Sequence, residues 1–103
     1  MNTDKKVKPI HPGKILLEEY LEPLNISQRE FARRISVSPN RVNEIVRGRR
    51  TVTGDTALRF SIALGTSAEM WLGLQAHYEL GKARKEMTDE VRESIVKFEG
   101  ELQ

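Results

Sequence analysis

None of the 103 residues is a cysteine. That absence excludes a disulfide framework and any metal site built on thiolates. Histidine is almost as scarce. His11 and His77 stand far apart, with no carboxylate at ligand spacing, so both read as surface or capping groups. No apolar run approaches the roughly 20 residues that a membrane-spanning helix needs. The opening "MNTDKKVKPI" is polar and lacks the apolar stretch of a signal peptide. A soluble, cytoplasmic protein is therefore expected. There is no glycine-rich phosphate loop and no nucleophile beside an obvious base. "TGDT" at 53–56 reads as a helix start, not a catalytic cluster. The expectation is a protein without enzymatic activity and without a cofactor. No window alternates apolar and polar residues with period two, which excludes a sheet and leaves an all-α fold. Repeats and low-complexity tracts are also missing.

What is present suits one small globular domain, with 38% hydrophobic and 31% charged residues. At this size a dimer would add useful buried area. The net charge is only +2, but it is unevenly spread. Residues 1–50 hold eleven Lys and Arg against six Asp and Glu, whereas residues 51–103 hold six against nine. Such asymmetry predicts two faces with different partners, one of them anionic.

The helix pattern is punctuated by caps. After a basic leader expected to be flexible, Ile15, Leu16, Tyr20 and Leu24 form a helical stripe, with Pro12 in the first turn and Pro23 ending the helix near Glu22. "SQRE" at 27–30 is a capping-box sequence, followed by inward-facing Phe31, Ala32 and Ile35. Ser38 caps the next helix with Pro39 at its first position, and Gly48 ends it in the left-handed conformation. Thr53 caps a fourth helix containing Ala57, Leu58, Ile62, Ala63 and Leu64, closed by Gly65. Ser67 caps a fifth with Met70, Trp71, Leu74 and Tyr78 on its apolar stripe. Thr88 caps a last segment in which Val91, Ile95, Phe98 and Leu102 recur at helical steps.

The second and third helices carry the chemistry. Their caps, the short connection, the small Ala32 at the crossing and the inward Val37, Val42 and Ile45 match a helix-turn-helix, whose second helix enters the DNA major groove. Seven arginines lie between Ser27 and Arg50 against two acids. The start of the second helix of the pair offers Asn40, Arg41, Asn43 and Glu44 behind its cap, Ser38. Asn can pair with adenine and Arg with guanine in bidentate fashion. Arg41 is the expected base reader. Ser27 and Gln28 head the first helix, where backbone N–H groups suit a phosphate. Arg47, Arg49 and Arg50 would meet phosphates and set the salt dependence. For Arg29, Arg33 and Arg34, phosphate contact and plain solvation both stay open. Ser36 occupies the turn position that glycine usually fills. No exposed aromatic platform supports an RNA reading.

The stretches "HPGKIL", "EPLNISQREFA", "RGRRTVTGDTALR" and "MWLGLQAHYEL" together resemble the HigA-type antitoxins, also described as virulence-associated protein I-like or addiction-module antidote proteins, of the Xre/Cro group. The resemblance runs from about His11 to Leu80. It implies a lambda-repressor-like helix-turn-helix domain of five helices over residues 11–80. A basic leader (1–10) would precede it and a C-terminal helical extension (81–103) would follow. It further implies an antitoxin that neutralises a HigB-like toxin of the RelE type, an mRNA endonuclease, and represses its own promoter as a homodimer on a palindromic operator. It assigns the DNA contacts to Ser27, Gln28, Ser38, Asn40, Arg41, Asn43 and Glu44, and dimerisation to the segment with Trp71, Leu74, Gln75 and Tyr78. A free-standing regulator without a toxin is the rival reading. The toxin-binding surface carries no motif. An acidic C-terminal face (Asp89, Glu90, Glu93, Glu99, Glu101) and the first helix (Glu18, Glu19, Glu22) are each either a partner surface or a solvated face.

Overall fold

The computed structural model describes residues 8–99, and among them the chain forms six α-helices and no strand. Most of the expected leader, together with Glu101 and Leu102, lies outside the described residues. The helices are α1 (Pro12–Ile15), α2 (Gln28–Ile35), α3 (Pro39–Val46), α4 (Gly54–Leu64), α5 (Ala68–Glu86) and α6 (Asp89–Ser94). α1 runs on into a π-helical segment, Leu16–Leu21.

Five helix starts follow one local rule. The side chains of Ser27, Ser38, Thr53, Ser67 and Thr88 each accept a hydrogen bond from the backbone N–H three residues on. Each satisfies a donor that a helix start leaves free, which is worth about 1 kcal/mol. α1 uses a different cap, with His11 Nδ1 accepting from the Gly13 N–H at 2.9 Å. α4 ends at Gly65, and Gly48 follows α3, both at positive φ.

The π-helical segment departs from the expected stripe. Its wider repeat brings Leu16 and Leu21, both buried, to the same side. A regular helix would turn Leu21 about 140° away from Leu16. Leu24, expected in the stripe, is instead exposed in the turn that Asn25 closes at positive φ.

The core joins all of α1 to α5. Phe60 of α4 sits between Phe31 of α2 and Trp71 of α5, with ring centroids 5.5 and 5.0 Å away, and Tyr20 leans on Trp71 at 5.4 Å. Tilted and edge-on rings of this kind add about 0.5–1.5 kcal/mol per pair beyond their buried area. The Trp71 indole N–H donates to Thr66 Oγ1 at 2.7 Å. α4 turns Thr56, Ala57 and Phe60 inward, leaving Leu58 and Ile62 in solvent. Gly13 lets α1 touch α3, since a Cβ there would fall 1.7 Å from the Ile45 carbonyl oxygen.

The C-terminal stripe is shorter than its periodicity predicts. α6 stops at Ser94, and Val91, Ile95 and Phe98 are all exposed. The residue 80/81 boundary falls inside α5, which is unbroken from Ala68 to Glu86.

Candidate nucleic-acid interface

α2 and α3 pack through Phe31, Ala32, Ile35, Val42 and Ile45, all buried, and Val37 covers the turn. The turn itself depends on Ser36, held at φ 61°, ψ 48°, in the left-handed region. A side chain there costs about 1–2 kcal/mol relative to ordinary backbone, which is why glycine is common at such a corner. The geometry is anchored from outside the pair. Arg59 of α4 donates from Nη1 to the Ile35 carbonyl at 2.8 Å and to the Ser36 carbonyl at 3.3 Å. Arg59 was not among the residues singled out from sequence. The two carbonyls it binds lie more than twenty positions upstream, and no local pattern marks them.

The head of α2 holds half of the expected capping box. Ser27 Oγ accepts from the Glu30 N–H at 3.0 Å. The Glu30 carboxylate does not complete the reciprocal bond, because Arg33 and Arg34 occupy it at 2.6 and 2.8 Å. Those two hydrogen-bonded guanidiniums hold its pKa down at about 2, Arg33 contributing most. In the free protein Arg33 and Arg34 are both bound along the helix to the one Glu30 carboxylate. Arg29 makes no ion pair among the described residues.

The expected contact residues on and just after α3 are placed differently from one another. Asn40 is exposed and makes no side-chain hydrogen bond among the described residues. Asn43 donates from Nδ2 to Gln28 Oε1 at 3.1 Å, so two amides form one surface bridging the head of α2 and the middle of α3. This leaves the Asn43 oxygen and the Gln28 NH2 for a base edge or a phosphate. Glu44 is held by Arg50, whose Nε lies 2.8 Å from Oε1. Arg47 and Arg49 are exposed and lack ion-pair partners among the described residues. Arg41 is placed differently from the rest. Its guanidinium reaches the start of α4, donating from Nη2 to Asp55 Oδ2 at 3.0 Å and to Thr56 Oγ1 at 2.6 Å.

The expected dimer residues are also divided. The Trp71 side chain is wholly buried inside the protomer. Gln75 is buried as well, where its Oε1 accepts from the Val52 N–H at 2.9 Å and its Nε2 donates to Glu79 at 2.8 Å. Both side chains are thus packed and bonded within the protomer. Leu74 is half-buried against the core, and Tyr78 is half-buried against the His11 ring, 4.9 Å away. The large apolar side chains that α5 presents to solvent are Leu72 and Leu80.

Among the described residues no group of three His, Asp or Glu side chains is placed to hold a metal ion, and no helix is long and apolar enough to cross a membrane.

Comparison with known proteins agrees with this geometry. Residues 17–71 match the Helix-turn-helix family. Virulence-associated protein I of Dichelobacter nodosus is 48% identical over 77 residues, covering 75% of this chain and 71% of that protein. The fold superposes on antitoxin GraA with a TM-score of 0.86 at 40% identity, covering 89% of this chain and 99% of GraA. It superposes on the Pseudomonas aeruginosa antitoxin HigA, solved with the higBA promoter, with a TM-score of 0.82 at 38% identity, covering 86% and 97%. By sequence and by structure, the chain belongs to the Helix-turn-helix family, in the branch that holds virulence-associated protein I and the HigA-type antitoxins.

Proposed function

We propose that this chain is the antitoxin of a type II toxin–antitoxin module, neutralising a HigB-like toxin and repressing its own promoter as a homodimer. The observation that carries the DNA half of this reading is the capped start of α3. It exposes Asn40 and the Gln28–Asn43 amide pair, and Arg47 and Arg49, which have no ion-pair partner among the described residues, lie beyond the helix's far end. The amides suit base edges, and the arginines suit phosphates on either side. The relative solved on promoter DNA, at 38% identity, uses the same fold. A two-fold dimer would set its two α3 helices roughly 34 Å apart, one turn of DNA, on a palindromic site. Because Trp71 and Gln75 are buried within the protomer, we assign its interface to the solvent side of α5, around Leu72 and Leu80.

The antitoxin half rests on kinship with HigA and GraA. It assigns the chain binding rather than catalysis, in the bacterial cytoplasm, where promoter and toxin are both found. The decisive experiment has two arms. A salt-titrated shift assay on the DNA upstream of the gene should give saturable binding that outlasts binding to random duplex as salt rises. Co-expression with the small open reading frame next door should restore growth that the latter alone arrests. Operator binding without growth rescue would make the chain a free-standing regulator. Rescue without operator binding would make it an antitoxin that does not control its own promoter.

A further inference from the structure

Arg41 lies in the first turn of α3, yet its side chain leaves the face that carries Asn40 and Asn43 and crosses to α4. There one carboxylate oxygen, Asp55 Oδ2, accepts from Arg41 Nη2 at 3.0 Å and from Arg59 Nε at 2.8 Å. Arg59 extends the chain to the carbonyls of Ile35 and Ser36, at the strained corner between α2 and α3. Arg41 is also bound to Thr56 Oγ1, and Thr56 is almost wholly buried. The brace thus closes a loop from the head of α3 to the head of α4, and back along Arg59 to the turn. The two guanidiniums hold the Asp55 carboxyl below its ordinary pKa, Arg59 more than Arg41.

We propose that Asp55 is a positioning residue for DNA recognition, fixing the pitch of α3 through Arg41 and Arg59, and that Arg41 acts through this brace and does not read a base. Three observations support the assignment. The Arg41 side chain is only 27% exposed, whereas the arginines of ordinary surface pairs here, Arg33 and Arg34, are 72% and 56% exposed. Its bond to a buried hydroxyl fixes its direction toward α4. A base could take Arg41 only by opening its bonds to Thr56 and to Asp55, the latter made to the same carboxylate oxygen that holds Arg59.

The inference rests on the DNA-binding function proposed above, and the test separates the two. Asp55→Asn removes one negative charge from a surface near polyanionic DNA. Electrostatics alone would then tighten binding to every duplex. Positioning predicts the opposite sign on the operator: about tenfold weaker binding there, the worth of one charged hydrogen bond, with random-duplex binding unchanged or tighter. Arg41→Ala should weaken the operator and all its single-base-pair variants by the same factor, and should add little to Asp55→Asn in the double variant. Thermal melts of each variant confirm folding, and Asp55→Glu, which keeps the carboxylate, should recover part of the loss. If the wild type does not prefer the upstream duplex, the proposed function fails and this inference with it. If the wild type does prefer it and Asp55→Asn binds the operator as well or better, only the inference fails. It also fails if Arg41→Ala abolishes discrimination at one base pair alone, because Arg41 then reads that base.

Discussion

Ser36 holds the corner of the helix pair at positive φ, a conformation that its Cβ disfavours. The Arg59 bonds to the carbonyls of Ile35 and Ser36 keep that corner in place, so the strain is tolerated but not removed. Ser36→Gly should therefore raise unfolding stability by about 1 kcal/mol, measured by urea titration, without changing the α2–α3 geometry. A loss of stability would mean that the serine hydroxyl contributes more than its backbone costs. Glu30 gives a pH signature at the same scale. Its folded-state pKa of about 2 lies below the ordinary 4.5, because Arg33 and Arg34 are bound to the ionised form. A depressed carboxylate adds stability above its unfolded pKa and loses it as pH falls through the folded value. Wild type should therefore melt above Glu30→Gln at pH 6. The gap should narrow from about pH 4.5 and close near pH 2, because only the wild type has a charge at position 30 to lose in that window. A gap that persists at pH 2 would place the effect of Glu30 outside these ion pairs.

At the scale of elements, α5 is tied to the loop ahead of α4 by one side chain. Gln75 Oε1 accepts from the Val52 N–H, and both residues are buried. Gln75→Leu keeps the volume but leaves that N–H without a partner, at a cost of about 1–3 kcal/mol. The loss should be the same at every protein concentration, because the bond lies within one protomer. A loss confined to conditions where the dimer forms would return Gln75 to an interface. The same bond shows what the sequence could and could not reveal. Helix starts were legible, because a cap satisfies its own backbone three residues on and nothing distant is needed. The inward faces of α2 and α3 were legible for a similar reason, since a tight turn leaves two adjoining helices few ways to pack. The π-helical segment was not, because periodicity is judged against 3.6 residues per turn and Leu16 and Leu21 follow another repeat. The buried face of α4 was not assigned from sequence: α4 buries Phe60 and leaves Leu58 and Ile62 exposed, a choice made by Phe31 and Trp71 from other helices. Trp71 was recognisable as apolar. Whether it would meet its own core or a second copy depended on those same distant partners. The base-reading role expected of Arg41 came from its place on α3, whereas its partners in the free protein lie fourteen and fifteen positions downstream, where no local pattern marks them.

At the scale of the whole molecule, the uneven charge of the chain acquires a direction. Arg47 and Arg49 lie just past α3 and are free of ion pairs among the described residues, so a phosphate can bind them without displacing a carboxylate. Arg50, although a neighbour, is already held by Glu44 and would have to surrender that pair. Each phosphate neutralised adds about 0.9 to the slope of log affinity against log salt. A dimer presents every such residue twice. Arg47→Ala or Arg49→Ala should therefore lower the magnitude of the slope by about 2, from two lost contacts, while the preference for operator over altered operator stays the same. Arg50→Ala should change it less, because freeing Glu44 changes the local charge as well. A change of about 1 would mean that one protomer engages the DNA. No change would remove these arginines from the phosphate path and leave the amide pair of Gln28 and Asn43 to carry the complex.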